Sequence, residues 1–378
     1  MEPSTRPDSV FDAEGICYPC RYMETVPAID WTTRRCELEE TVAWGRQRNV
    51  SGYDCIIPVS GGKDSHRQSL YCRDELGLKP LLVTLAYPPE HQSARGAHNI
   101  SNLINLGFDC IYVSLKPETW RRMMRHSFLT WGNIYKSTEL PLYASVHKVA
   151  IMYHIPLIVY GENPALSWGS AGGSLDGNAN RLKYCNTLRG GDLGWLLEGG
   201  FTLQDLYWST FPSDAEIERG RLRAIYLGYY IPDFNDWANG TMAIAHGLET
   251  RKGEDAVAEE TGEINTWDAL DDDFVIVNQF LKYLKFGFGK TLESAGAAVR
   301  NGIMSRDEAI ELIRKYDGKC ADRYIRRLCR YLDFTEEEFW RVAESYRNPA
   351  LWVRDEHGWR LRHPVDRNPP ADIAVGAR

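Results

Sequence analysis

The 378-residue sequence contains no apolar run long enough to span a bilayer, and its first residues, MEPSTRPDSVFDAEG, lack the basic-then-apolar order of a signal peptide. A cytoplasmic protein with no membrane partner is therefore expected. Positive charge is in deficit as well. The net charge is −8, and a nucleic-acid face needs clustered Lys and Arg to release counterions, so no RNA or DNA partner is expected without a local basic patch. Internal repeats are missing. Nine cysteines are scattered through the chain, and only Cys17 and Cys20 have the spacing of metal ligands, so a disulfide framework is not expected.

What is present suffices for a large core: 43% of residues are hydrophobic and 12% aromatic. From Tyr53 onward, short β-rich runs alternate with amphipathic segments. Strands are predicted at 53–59, 81–86, 110–115, 155–160 and 224–231, with helices at 64–75, 97–106, 118–127 and 142–153 between them. That alternation predicts an α/β fold with a doubly wound, mostly parallel sheet. From Phe274 four helical patterns follow, with Ser305 and Thr335 placed as N-caps. The organisation expected is an N-terminal segment over 1–45, an α/β domain over 46–250, a linker or mobile insertion over 251–273, a helical region over 274–363 and a frayed tail over 364–378.

The first predicted strand runs into Ser60-Gly61-Gly62-Lys63-Asp64-Ser65 and then a helix. Small residues let backbone N–H groups close on an anion, the helix N-terminus adds partial positive charge, and Lys63 adds a full one. A Walker A loop is excluded, because Ile57 stands where that motif needs Gly and Asp64 where it needs Ser or Thr. In an open sheet the ligand sits beyond the carboxyl ends of the strands. Gly161, Glu162 and Asn163 after the fourth strand, and Thr84 in the second, are candidates by that rule; an Asn-Pro turn is the plain alternative for Asn163.

The loop resembles the SGGxDS signature of the PP-loop ATP pyrophosphatases. The resemblance implies that Ser60 to Ser65 grip the outer phosphates of ATP, that ATP is cleaved between its α and β phosphates, and that AMP is left on the substrate. Magnesium would bridge the phosphates, with Asp64 as a direct or water-mediated ligand.

The segments IPLIVYGENPAL, IYLGYYI, FLKYLKFGFGKT, NGIMSRDEAIELIRKYDGKC and EEEFWRVAESYRNPALW resemble one PP-loop subfamily, the N-acetyl sugar amidotransferases of surface-polysaccharide and lipopolysaccharide O-antigen biosynthesis. That resemblance implies an enzyme that adenylates the amide oxygen of a nucleotide-linked N-acetyl sugar. Ammonia from a separate, two-subunit glutaminase would then give an acetamidino sugar. Lys63, Asp64, Glu162 and Lys285 are the catalytic candidates. Lys282 and Lys285 share a helix face and, with Arg300, are raised by the resemblance to binders of a sugar diphosphate or the leaving pyrophosphate; a solvated helix face is the plain reading. Asn178 and Asn180 lie in a Gly- and Asn-rich stretch, 167–192, expected to cover the crevice and meet sugar hydroxyls.

Two smaller motifs remain. Cys17 and Cys20 match half of a four-cysteine zinc knuckle found in relatives; zinc needs two more ligands, and Cys36 and Cys185 have no local support for supplying them. The run Asp176 to Asn180 imitates a calcium loop, but Arg181 and Thr187 stand where Gly and Glu are needed, which excludes calcium. Two other functions share these features: a PP-loop tRNA thiolase or sulfur transferase, and a non-catalytic nucleotide-binding scaffold for a glutaminase.

Overall fold

The computed structural model describes residues 11–169 and 174–365; of the expected tail, residues 366–378 lie outside them, as does 170–173 of the Gly-rich stretch. Five parallel strands form one sheet: β1 Cys55–Pro58, β2 Pro80–Ala86, β3 Asp109–Ser114, β4 Leu157–Tyr160 and β5 Arg223–Tyr226, in the order β3-β2-β1-β4-β5. Pairing is set by the two-residue period of the side chains. Ile56, Val83, Ile158 and Ala224 point into one core with Trp120, Met123 and Val146. Cys55, Ile57, Leu82, Leu157 and Val159 point into the other with Leu38, Leu70 and Leu103. A strand buried on both faces is why these runs are continuously apolar.

The chain moves outward from β1 to β3 and returns to β4 on the other side of β1, where Ile56 faces Ile158. That reversal opens a crevice beyond the carboxyl ends of β1 and β4. β5 is four residues long, shorter than the predicted run, because the chain turns into a 3-10 segment, Leu227–Tyr229, and Gly228 N–H donates to Gly161 O at 2.9 Å.

Of the stretch expected to cover the crevice, Ser167 and Trp168 line its cavity, while 177–180 runs beside β5. Ala179 N–H donates to Ala224 O and the Tyr226 N–H to Gly177 O, both at 2.9 Å, while the Asn180 Oδ1 accepts from Ala224 N–H at 2.8 Å. Asn178 and Asn180 therefore finish the sheet edge, which would otherwise leave backbone groups unpaired.

After Phe274 come five helices, Phe274–Phe286, Lys290–Arg300, Arg306–Tyr316, Asp322–Leu332 and Glu336–Ser345, one more than predicted, and a hairpin of β6 (Trp352–Asp355) and β7 (Gly358–Leu361). Ser305 and Thr335 cap their helices through reciprocal bonds with Glu308 and Glu338. Phe274, Leu281, Leu328 and Phe339 belong to the same apolar cluster as Trp120 and Phe128. The helical region thus shares a core with the sheet. No helix among the described residues is long and apolar enough to cross a membrane.

The acidic stretch 251–273, expected as a linker, packs against the sheet's helices. Ser93 N–H donates to Asp271 O at 2.9 Å and its hydroxyl to Leu270 O at 2.6 Å. Two of its acids gather several partners each: Asp273 meets Arg95, Arg251 and Arg327, and Asp255 meets Arg323 and Tyr324. Charge at Asp268, Asp272 and Asp273 that looks like solvation in the sequence is buried.

This docking depends on Gly96, where a Cβ would stand 2.6 Å from Asp271 O. Replacing Gly96 with Ala should cost about 1–3 kcal/mol of stability through overpacking against backbone. Chemical denaturation measures this, and an unchanged midpoint would show that the acidic stretch is not held there.

Candidate functional site

Three helices begin at the crevice: Lys63–Leu70, Asp236–Ala245 and Lys290–Arg300. The first follows the glycine loop. Gly61 has φ +83°, a backbone that L side chains rarely adopt, and a Cβ there would meet the Ile100 nitrogen at 3.0 Å. Ser65 Oγ accepts from Ser60 N–H at 3.0 Å and closes the loop on itself. No side chain caps the Lys63–Leu70 helix, so its N-terminal N–H groups remain available to an anion.

Lys63 is buried, and its ammonium is ringed by carboxylates: Asp268 at 2.7 Å, Asp64 at 3.1 Å and Asp236 at 3.2 Å. Burial alone would lower its pKa; the three acids outweigh that and hold it well above the usual range. Asp268 is depressed despite its burial, because Lys290 at 3.2 Å and Lys63 both face it. Asp236 is raised by burial, with Asp268 and Asp64 adding to the effect against Lys63 and Lys290.

A cavity of about 110 Å³ opens beside this cluster, lined by Asp64, Glu162, Asp236, Asn239, Trp168 and Arg300, among others. Asn239 donates to Asp64 Oδ1 at 2.8 Å, and its own Oδ1 is buried with no partner among the described residues. Glu162 is open to solvent on one side. The crevice walls nevertheless crowd its carboxyl and, with Asp64 and Asp236, lift its pKa to about 7 against the pull of Lys63 and Lys290, an effect that solvent at the open face moderates. Glu263 also rises to about 7, through burial first and the neighbouring Asp268 after it, with Lys290 opposing.

Five carboxylates, Asp64, Glu162, Asp236, Glu263 and Asp268, thus face Lys63, Lys290 and Arg300. A polyphosphate entering alone would meet net repulsion. A divalent cation reverses the sign, and magnesium is typically held by one or two carboxylates and substrate phosphates, which Asp64 and Asp236 at the cavity wall fit.

Other predicted residues have different employment. Asn163 caps the Pro164–Trp168 helix and ties down Ser174 O and Asp176 O at 3.0 and 2.8 Å, so its amide is fully engaged although it touches the cavity. Gly161 is a packing position, where a Cβ would stand 2.4 Å from Gln68 Nε2. Thr84 is buried inside β2, opposite Tyr112. Asn178 and Asn180 sit at the β5 edge. Lys282 pairs with Glu293 at 2.8 Å, and Lys285 donates to Trp131 O at 2.7 Å; neither lines the cavity.

Cys17 and Cys20 begin a short helix, Tyr18–Thr25, whose Tyr22 and Met23 border the cavity. Their sulfurs are 3.4 Å apart. The hydrogen bond between the two sulfurs drops the Cys17 thiol to about 5, with Arg300 a lesser help, and pushes Cys20 up. Among the described residues no group of three or more Cys, His, Asp or Glu is arranged to hold a metal, so Cys17 and Cys20 would leave a closed zinc site two ligands short. Cys185 is buried beside Tyr226 with its pKa raised chiefly by burial, an inert thiol.

The residues that sequence reasoning missed are Asp236, Asn239, Glu263, Asp268 and Lys290. Asn235-Asp236 is a helix-start signal, and Lys290 follows the glycines of FGFGK; both were visible as local structure without any sign that they converge.

Glu263 gives a pH prediction with a definite sign. Its folded pKa lies above the unfolded carboxylate value near 4.3, so the folded state binds more protons between about pH 4.5 and 7 and stability falls as pH rises through that window. Glu263→Gln should flatten the fall, a difference of about 1–3 kcal/mol by pH 8 in denaturant titrations. A slope unchanged by the substitution would contradict the burial of this charge.

Residues 262–364 match the family model described as "LPS biosynthesis protein WbpG-like, C-terminal domain", and no curated protein matches the chain. The matched region contains Glu263, Asp268, Lys290 and Arg300. Over that region the chain is similar to a protein family of lipopolysaccharide biosynthesis.

Proposed function

We propose that this chain is an ATP-dependent, AMP-forming amidotransferase that converts the acetamido group of a nucleotide-linked sugar into an acetamidino group. The observation that carries the reading is the crevice at the strand reversal, where an uncapped helix N-terminus adjoins clustered carboxylates. The similarity of residues 262–364 to a lipopolysaccharide-biosynthesis family supports a sugar-linked acceptor.

In this reading the loop N–H groups hold the outer phosphates, and Asp64 and Asp236 hold magnesium, which when bound offsets phosphate charge. The amide oxygen attacks the α-phosphorus and pyrophosphate leaves. Ammonia then adds to the amide carbon, the C–O bond breaks, and AMP departs. Glu162, at the cavity wall with its pKa raised by the crowding of the crevice and by Asp64, takes the proton that the added nitrogen must lose. Lys63 is a positioning residue: it fixes Asp64, Asp236 and Asp268 relative to one another. The ammonia would come from a separate glutaminase.

The thiol pair supports one competing reading. A Cys17 thiol lowered to about 5, on the helix whose Tyr22 and Met23 border the cavity, suits sulfur transfer.

The test incubates protein, ATP and magnesium with a UDP-linked N-acetyl sugar uronate and either ammonium or sulfide. AMP and a product lighter by the difference between O and NH are expected with ammonium only. Asp64→Asn, which keeps the acceptor for Asn239, should lower the rate about a hundredfold or more by weakening the metal. Release of ADP, or product with sulfide alone, would contradict the proposal.

A further inference from the structure

A second polar site lies outside the crevice, around Trp131 at the end of the Pro117–Trp131 helix. The Lys136 ammonium is 4.7 Å from the Trp131 ring centroid and the Arg189 guanidinium 5.3 Å from it. Lys285 donates to the Trp131 carbonyl at 2.7 Å. The Trp131 indole N–H is itself buried without a hydrogen-bond partner among the described residues. A buried donor left unpaired costs about 1–3 kcal/mol, so its presence amid cations calls for an acceptor. Arg189 and Lys285 have no carboxylate within ion-pair distance among the described residues, and Arg189 is solvent-exposed with a left-handed φ of 44°.

We propose that Arg189, Lys285, Lys136 and the Trp131 indole N–H form an oxyanion site that takes a diphosphate or carboxylate group. Burial lowers the pKa of both lysines and the charge of Arg189 lowers them further; Lys136 adds to this at Lys285, while Glu139 and Asp192 oppose it at Lys136. An entering anion relieves this crowding. Its sign is the reverse of the crevice, where acids are in excess, so the two sites select different partners.

The site lies at the same end of the sheet as the crevice. The Lys136–Met152 helix leads directly into β4 and must run against it, which puts its first turn beyond the strands' carboxyl ends. Tyr143, two turns along, feels the charges of both Glu139 and Glu162. An elongated acceptor could therefore reach from this site to the crevice. Assigning the anion to that acceptor rests on the function proposed above; the existence of the site does not.

The test follows the indole N–H resonance of Trp131, identified by its loss in Trp131→Phe, during magnesium-free titration with pyrophosphate and, separately, glucuronate. One of the two should shift it with a Kd of roughly 1 mM or tighter. Pyrophosphate acting assigns a diphosphate, glucuronate a carboxylate. Arg189→Gln, on the surface and so safe for folding, and Lys285→Gln should each weaken binding about tenfold, while Asp64→Asn leaves the shift intact. A resonance unmoved by either anion up to roughly 10 mM, or a shift equal in Arg189→Gln, overturns the site. A responding Trp131 in a protein that forms no AMP would instead sink the proposed function and leave the site standing.

Discussion

Lys63 holds the crevice together. Its ammonium meets Asp64 on its own helix, Asp236 at the start of another, and Asp268 in a stretch 205 residues away. Asp268 passes the charge on to Lys290, at the start of a third helix. Removing one member of such a buried set strands its partners, typically at 3–5 kcal/mol. The acids nonetheless outnumber the cations; burial lifts Glu162 and Glu263, and the neighbouring acids add to both shifts, so a ligand carrying positive charge would offset the excess.

That arrangement explains why the stretch 251–273 and the helical region share a core with the sheet. Asp268 and Lys290 complete the site only if Asp271 docks on Ser93 and Gly96, and Phe274 on His91. The C-terminal residues are part of the crevice wall. Arg300, at the end of the Lys290–Arg300 helix, reaches Ser167 O at 3.3 Å and closes the wall against the Pro164–Trp168 helix.

The five strands and the loop-to-helix turn were legible because apolar period and glycine chemistry are local signals. Ser305 and Thr335 were legible as caps for the same reason. The cavity lining was legible where it coincides with a strand end, as at Asp64 and Glu162, and at Arg300 through the resemblance alone. Asp268 was hidden in an acidic stretch that composition alone assigns to solvent, and nothing local reveals that Arg251, Arg323 and Lys290 answer those charges. Lys282 and Lys285 were visible as a shared helix face, but spacing cannot say that one would find Glu293 and the other Trp131 O. Asn178 and Asn180 looked like ligand groups because edge-closing amides and sugar-binding amides are the same chemistry.

The central claim is that an acid-rich crevice accepts a nucleotide only as its metal complex. Calorimetric titration of the protein with ATP, with and without magnesium, tests it most directly. Binding should appear with magnesium and be weaker at least about a hundredfold without it. Equal or tighter binding of metal-free ATP would contradict the account.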